Sequence, residues 1–181
     1  LPLGFRVKQK IEQILREEMQ AIDCAEIVMP VVHPSSIWEA SGRWTDVGDE
    51  MMRMQDRAGR DKCLAMTHEE VMADLARYLV RSYKQLPTSV FQIQTKFRDE
   101  PRCRGGLIRV REFTMKDAYS FSADQEGLDK IYDDMFKAYM MVFNRAGLGD
   151  DVRVVESDTG VMGGSGAHEF MFLNQHGEDT L

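Results

Sequence analysis

The chain has 181 residues, 43% hydrophobic and 29% charged, a balance that fits a globular domain or a large piece of a bigger one. Its net charge of −7 argues against a protein that coats nucleic acid indiscriminately. No apolar run approaches the roughly 20 residues of a membrane span, and Leu1–Arg6 has neither the basic start nor the apolar stretch of a signal peptide.

Residues 5–20 carry Val7, Ile11, Ile14 and Leu15 at the spacing of an amphipathic helix. A turn at Asp23-Cys24 leads into Glu26–Val32, a short apolar strand interrupted by Pro30. Met51–Arg57 and Lys62–Met66 flank Ala58-Gly59-Arg60-Asp61 and read as a hairpin. Thr67 with Glu70 three residues on has the form of a capping box, opening a helix over Val71, Met72, Leu75, Tyr78 and Leu79 that stops before Pro87.

Val90–Glu100 alternates, with Phe91, Ile93, Thr95 and Phe97 on one face and Gln92, Gln94, Lys96, Arg98 and Glu100 on the other. Pro101–Gly106 reads as a loop and Leu107–Asp117 as the returning strand. Ser122-Ala123-Asp124 starts the longest helix, with Leu128, Ile131, Tyr132, Met135, Tyr139 and Phe143 on a stripe and Gly147 closing it. Val152–Ser157 and Glu169–Asn174 are further strands around the small-residue turn Gly160–Ala167. Hairpins outnumber strand–helix–strand crossovers, which predicts an α+β fold, a mainly antiparallel sheet flanked by helices.

Charge is uneven along this chain. Between Lys96 and Lys116 stand seven bases against three acids, a local excess that suggests a confined anion site. Arg98 and Glu100 share a face of the outgoing strand, and Arg109, Arg111, Phe113, Met115 and Asp117 share one on the return. A guanidinium fork matches phosphate or carboxylate oxygens, and an aromatic beside it can stack on a purine. A solvated hairpin with cross-strand ion pairs fits the same spacing, so the pattern alone leaves both readings open.

The wording of the segment goes further. Phe97-Arg98-Asp99-Glu100, a loop, then Arg109-Val110-Arg111-Glu112-Phe113 resembles motif 2 of class II aminoacyl-tRNA synthetases. With Ser82–Pro87, Gln92–Phe97 and Met115–Phe121 the chain is similar to prolyl-tRNA synthetases of the bacterial type over nearly its whole length. The resemblance implies ATP-dependent activation of proline to prolyl-adenylate and its transfer to tRNA(Pro), with ATP and Mg2+ required and no metal ligand assigned to the protein.

Residue by residue, it implies that Arg98 grips the α-phosphate and the proline carboxylate, and that Glu100 holds the adenine end. Phe113 would stack on adenine and Arg109 lie along the triphosphate. Thr67 and Glu69, in Thr67-His68-Glu69, would bind the substrate amino group. Met115 and Tyr119 would line the proline pocket, with His168 and Glu169 of Gly163–Phe170 near its floor. Pro30 matches the motif 1 proline at the dimer interface of this class, implying a homodimer.

Cys103 stands where proline is expected in that loop. The three widely spaced cysteines form no CxxC pair, which argues against zinc or a disulfide framework and suits a reducing cytoplasm.

The chain reads as one partial catalytic domain, residues 1–181, with motif 1 near 26–32 and motif 2 near 96–117. Lacking an initiator Met, it reads as trimmed at its front. The editing insertion, motif 3 and the anticodon-binding domain are expected to be absent, so the activity belongs to a parent enzyme and that of these residues alone stays open. A non-catalytic module on the same fold and a sister class II enzyme for another amino acid are the alternatives.

Overall fold

The computed structural model describes residues 1–159, 164 and 166–177. They divide into two units, Asp23–Ile131 and Leu1–Ile22 with Tyr132–Leu181. Among the described residues no helix is long and apolar enough to cross a membrane.

The unit Asp23–Ile131 is organised around a long hairpin. Its strands β5 (Thr88–Phe97) and β6 (Glu112–Phe121) pair antiparallel over ten residues each, from Thr88↔Phe121 to Phe97↔Glu112. β1 (Ala25–Glu26) adds a short parallel edge on β5. A second sheet, in the order β2 (Val32–Pro34), β4 (Asp61–Leu64), β3 (Arg53–Gln55), is antiparallel throughout. Antiparallel pairing therefore dominates, as the hairpin count predicted.

The expected strand Glu26–Val32 is broken, and the break has a cause. Pro30 lacks the N–H a ladder needs, and glutamine side chains of β5 take over. Met29 N–H donates to Gln92 Oε1 at 3.1 Å, and Gln94 Nε2 donates to Met29 O at 3.1 Å. The chain re-enters regular pairing as β2.

Two short helices, α2 (Ser35–Ser41) and α3 (Arg43–Asp46), follow β2 where no element was expected. They are too short to carry a helical period. Their packing is what holds them. Trp38, fully buried, sits on Met51, Cys63 and Met66, with Ile37, Trp44 and Val47 around them. Arg53 secures the far end by donating to the carbonyls of Trp44, Val47 and Gly48.

The backbone then joins the two sheets. Ala65 N–H donates to Val31 O and Phe97 N–H donates to Ala65 O, both at 2.8 Å. That crossing delivers Thr67 and His68, both buried, to the top of β5, where α4 (Glu69–Leu79) begins. The capping box predicted there does not form. The N-cap is His68, without a side-chain cap, and Glu70 is taken instead by Arg43 at 2.9 Å and Ser41 at 3.1 Å.

The returning strand also starts later than predicted. Gly105 and Gly106 both hold positive φ, +65° and +67°, a backbone open to glycine at little cost. Arg104 and Arg109 bridge across them, so residues 101–111 form a closed tip rather than a strand.

In the unit Leu1–Ile22 with Tyr132–Leu181, α1 (Pro2–Ala21) lies where its stripe placed it. Arg145 of α5 (Gln125–Arg145) is ion-paired with Glu17 and Glu18 of α1. α5 ends in a glycine cap: Leu148 N–H donates to Phe143 O and Gly147 N–H to Asn144 O, with Gly147 at φ +80°. β7 (Val152–Ser157) spans its predicted residues, and β8 (Ala167–Phe172) starts two residues early. Phe136, Tyr139 and Phe143 of α5 all pack on Phe170 of β8, with centroids 5.4–5.5 Å apart.

Trp38→Ala removes the centre of the small-sheet core. It is expected to cost about 3–5 kcal/mol in unfolding free energy. Trp38→Phe should cost less, about 1–3 kcal/mol, because it keeps most of the volume and orphans one buried acceptor. Urea unfolding of both variants checks the order; a loss below about 1 kcal/mol for alanine would show that Trp38 does not carry this core.

Candidate functional site

One face of the β5–β6 hairpin gathers most of the expected site. Directly opposed residues of an antiparallel pair share a face, and the register opposes Val90 to Tyr119, Gln92 to Asp117, Gln94 to Met115 and Lys96 to Phe113. Arg98, whose N–H donates to Arg111 O at 3.0 Å, continues the line. Period-two counting therefore groups Phe113, Met115 and Asp117 correctly, and Tyr119, named by the resemblance, shares their face. Arg109 and Arg111 lie outside the strand, in the closed tip or at its base.

At the open end of that face is a cleft of about 400 Å³ lined by Arg98, Glu100, Arg109, Phe113 and the tip. The Arg98 guanidinium stacks over Phe113, 5.4 Å from its centroid, and its buried Nε has no hydrogen-bond partner. A cation held on an aromatic ring with an unspent donor is prepared for an anion. Arg109 stands 3.8 Å from Glu100, and Arg111 turns outward to Asp99 at 3.1 Å.

Further along the face, Glu69, Met72, Ala73 and Tyr119 line a second cleft of about 320 Å³. The Thr67 hydroxyl donates to Glu69 Oε2, and Arg43 lies 3.6 Å from the same carboxylate. This is an acidic, partly buried niche suited to a small cation.

Beneath both clefts runs a polar network that sequence patterning did not reveal. Lys96 is fully buried and paired with Asp117 Oδ1 at 2.8 Å. It also contacts His68 Nδ1, and His68 Nε2 donates to Pro30 O at 3.0 Å. His33 Nε2 donates to the same carbonyl at 2.8 Å and accepts from Trp38 Nε1 at 3.3 Å through Nδ1. Asp117 Oδ2 accepts from the Tyr119 hydroxyl and from Gln92 Nε2.

Burial sets the titration of these groups. It pushes His68 down from 6.5 to about 4, with the Lys96 charge adding to the effect, and lowers His33 as well. Burial also lowers Lys96, against the pull of Asp117. Tyr119 is raised, first by burial and then by its bond to Asp117. One signal for the network was visible: Gln92, Gln94 and Lys96 alternate down a strand opposite Asp117 and Tyr119.

The remaining expected residues stand elsewhere. Pro30 is exposed, its carbonyl held by two imidazoles. His168 and Glu169 are consecutive on β8, in the other unit, and so point to opposite faces of that strand. His168 Nδ1 bonds the Tyr132 hydroxyl at 2.7 Å and its ring meets Phe136, so its environment is the aromatic row of α5. Gly163 and Ser165 of the same segment lie outside the described residues.

The chain and its fold match a known group. A family model for the class II core domain of tRNA synthetases (G, H, P, S and T) matches residues 52–178, and the chain belongs to that family. Over all 181 residues it is 56% identical to the proline–tRNA ligase of Halothermothrix orenii and 55% identical to that of Oleidesulfovibrio alaskensis, covering 32% and 31% of them. The chain thus spans about a third of the length of the curated relatives it matches. Its fold aligns with Giardia lamblia prolyl-tRNA synthetase in complex with prolyl-adenylate at a TM-score of 0.74 and 26% identity, covering 80% of this chain and 30% of that one.

The neutral buried imidazole of His68 makes stability depend on pH. The unfolded chain takes up that proton below about 6.5, whereas the folded chain resists until about 4. Stability is therefore complete above about pH 6.5 and falls as pH drops towards 4. Thermal unfolding across that window should show a shallower decline in His68→Gln than in the wild type. Equal slopes would mean that His68 is not buried neutral.

Proposed function

We propose that this chain supplies the adenylate-forming side of a proline–tRNA ligase, activating proline with ATP for transfer to tRNA(Pro). The observation that carries the reading is Arg98, stacked on Phe113 with an unpartnered Nε at the mouth of a cleft that also holds Glu100 and Arg109. The names of the full-length relatives, and the prolyl-adenylate in the aligned Giardia structure, support it.

In this reading the proline carboxylate attacks the α-phosphorus of ATP, giving prolyl-adenylate and pyrophosphate. No protein nucleophile is needed. The chain's own residues position the reactants and hold developing charge. Arg98 bridges the α-phosphate and the carboxylate; Arg109 lies along the triphosphate; Glu100 meets the adenine end. Stacking of adenine on Phe113 uses the ring face that Arg98 leaves, or follows the departure of Arg98 towards the phosphate. Thr67 and Glu69 receive the proline ammonium, and Met115 and Tyr119 wall its ring; a part in proline binding for His168 and Glu169 rests on the family resemblance alone.

Mg2+ fits this site as a companion of the triphosphate. Among the described residues there is no group of three or more metal-ligating side chains, and Glu100 is the carboxylate lining the cleft. A bound Mg2+ would take most of its oxygens from phosphate and water and would neutralise phosphate charge.

Assembly and location belong to the same reading. Val28 is 80% exposed, and Pro30 and Val32 are exposed beside it, an apolar edge that supports a homodimer contact at motif 1. Free Cys24, Cys63 and Cys103 support a cytoplasmic setting. The chain is read as part of one catalytic domain, with motif 3, the editing insertion and the anticodon-binding domain assigned to the rest of a longer protein.

Proline-dependent ATP–pyrophosphate exchange by the full-length protein tests this. Arg98→Ala should lower the exchange rate by roughly a hundred- to a thousandfold, about 2.7–4 kcal/mol of lost charge stabilisation. Near-normal exchange in that variant would refute the assignment.

A further inference from the structure

Thr67 and Tyr119 flank Glu69 with hydroxyl protons already committed, while Ser120, the other hydroxyl residue lining the cleft, alternates to the opposite face of β6 from Tyr119. Thr67 donates to Glu69 Oε2, and Tyr119 donates to Asp117 Oδ2. A hydroxyl has one proton, so neither group has one left for a ligand. What they and Glu69 present to the cleft is lone pairs. A ligand there must bring N–H or O–H donors; one that brings an acceptor leaves oxygens facing oxygens.

The Tyr119 commitment depends on an Asp117 carboxylate that has donors on both oxygens, of which Lys96 is the charged one. Its ammonium is fully buried, lies 2.8 Å from Asp117 Oδ1, and donates a hydrogen bond to His68 Nδ1. Gln92 adds a second donor to Oδ2 at 3.0 Å. Neither Lys96 nor Asp117 lines the niche, so any effect they have on a ligand passes through Tyr119.

We propose that Lys96 and Asp117 are positioning residues for amino-acid selection, holding the Tyr119 hydroxyl as an acceptor so that the pocket admits a ring carrying N–H donors and rejects one carrying an ether oxygen. The inference rests on the reading of this niche as the proline site and adds the device that sets its hydrogen-bond sense. A site built to pair with a donor rejects an analogue lacking it far more strongly than an apolar pocket rejects a change of size.

The test uses the full-length protein and two substrates, proline and tetrahydrofuran carboxylate, whose ring nitrogen is replaced by oxygen. Selectivity is the ratio of their kcat/KM values in pyrophosphate exchange. The wild type should favour proline by roughly ten-thousandfold or more. Asp117→Asn, whose amide can donate to the phenol and free its proton, should narrow the ratio at least about tenfold. The change should lie more in the KM for proline than in kcat.

Tyr119→Phe leaves the buried pair intact and should narrow the ratio similarly, which keeps the idea testable if the Asp117 variant does not fold. A merely structural role predicts lower kcat or active fraction with the ratio unchanged, and an unchanged ratio in either folded variant overturns the proposal alone. A wild type that does not select proline over the oxygen ring overturns this inference and the proline-site reading together.

Discussion

A lysine ammonium sealed from water is the constraint around which the unit Asp23–Ile131 is arranged. An ion of that size loses several kcal/mol of hydration on burial, and it stays folded only where its donors are matched. Lys96 finds a carboxylate on β6 and an imidazole at the head of α4. Those two partners come from chain segments about twenty residues ahead of it and thirty behind. Satisfying one side chain therefore fixes the angle between the hairpin and α4, which is the angle at which Thr67 and Glu69 face Tyr119.

The same economy of polar contacts explains why the motif around Pro30 is held without a ladder. Proline removes the donor a strand would use, yet its carbonyl is better served than most, with two imidazoles on one oxygen. Trp38 reaches this arrangement through His33, so the small-sheet core and the ligand face share a single hydrogen-bonded structure. Core packing and site geometry are not separable here: the tryptophan that fills the core also sets the tautomer of an imidazole two bonds from the site network.

Much of this could be read from the chain without coordinates, for physical reasons that differ by element. The β5–β6 hairpin was legible because alternation survives pairing; residues two apart stay on one face, and Arg98, Phe113, Met115 and Tyr119 were grouped on that basis and by family resemblance. α1 and α5 were legible because each is long enough to repeat its stripe. α2 and α3 were not, since seven and four residues contain no period and are held by Trp38 rather than by propensity. Leu107–Arg111 misled because its alternation is real while two positive-φ glycines fold it away. Thr67 and Glu70 misled because they have the spacing of a capping box while the Thr67 hydroxyl is spent on Glu69 and Glu70 on Arg43 and Ser41. The burial of Lys96 was invisible, as a lysine amid glutamines reads as a wet face until its opposite strand is known.

Gln92 shows what such a network demands of a side chain. Its carbonyl receives the Met29 N–H and its amide donates to Asp117, so it must accept at one end and donate at the other. Glutamate there would set a second carboxylate against Asp117, and methionine of similar length could do neither job. Followed from link to link, the protons have a sense as definite as in ice: outward from Lys96 to Asp117 and to His68, on from His68 to Pro30, and into Asp117 from Gln92 and Tyr119. Reversing one link forces its neighbours to reverse or break. The molecule thus stores, in the orientation of a few amides and rings, a handedness of donors and acceptors that no change of shape need accompany, and two proteins with superimposable backbones could differ in it completely.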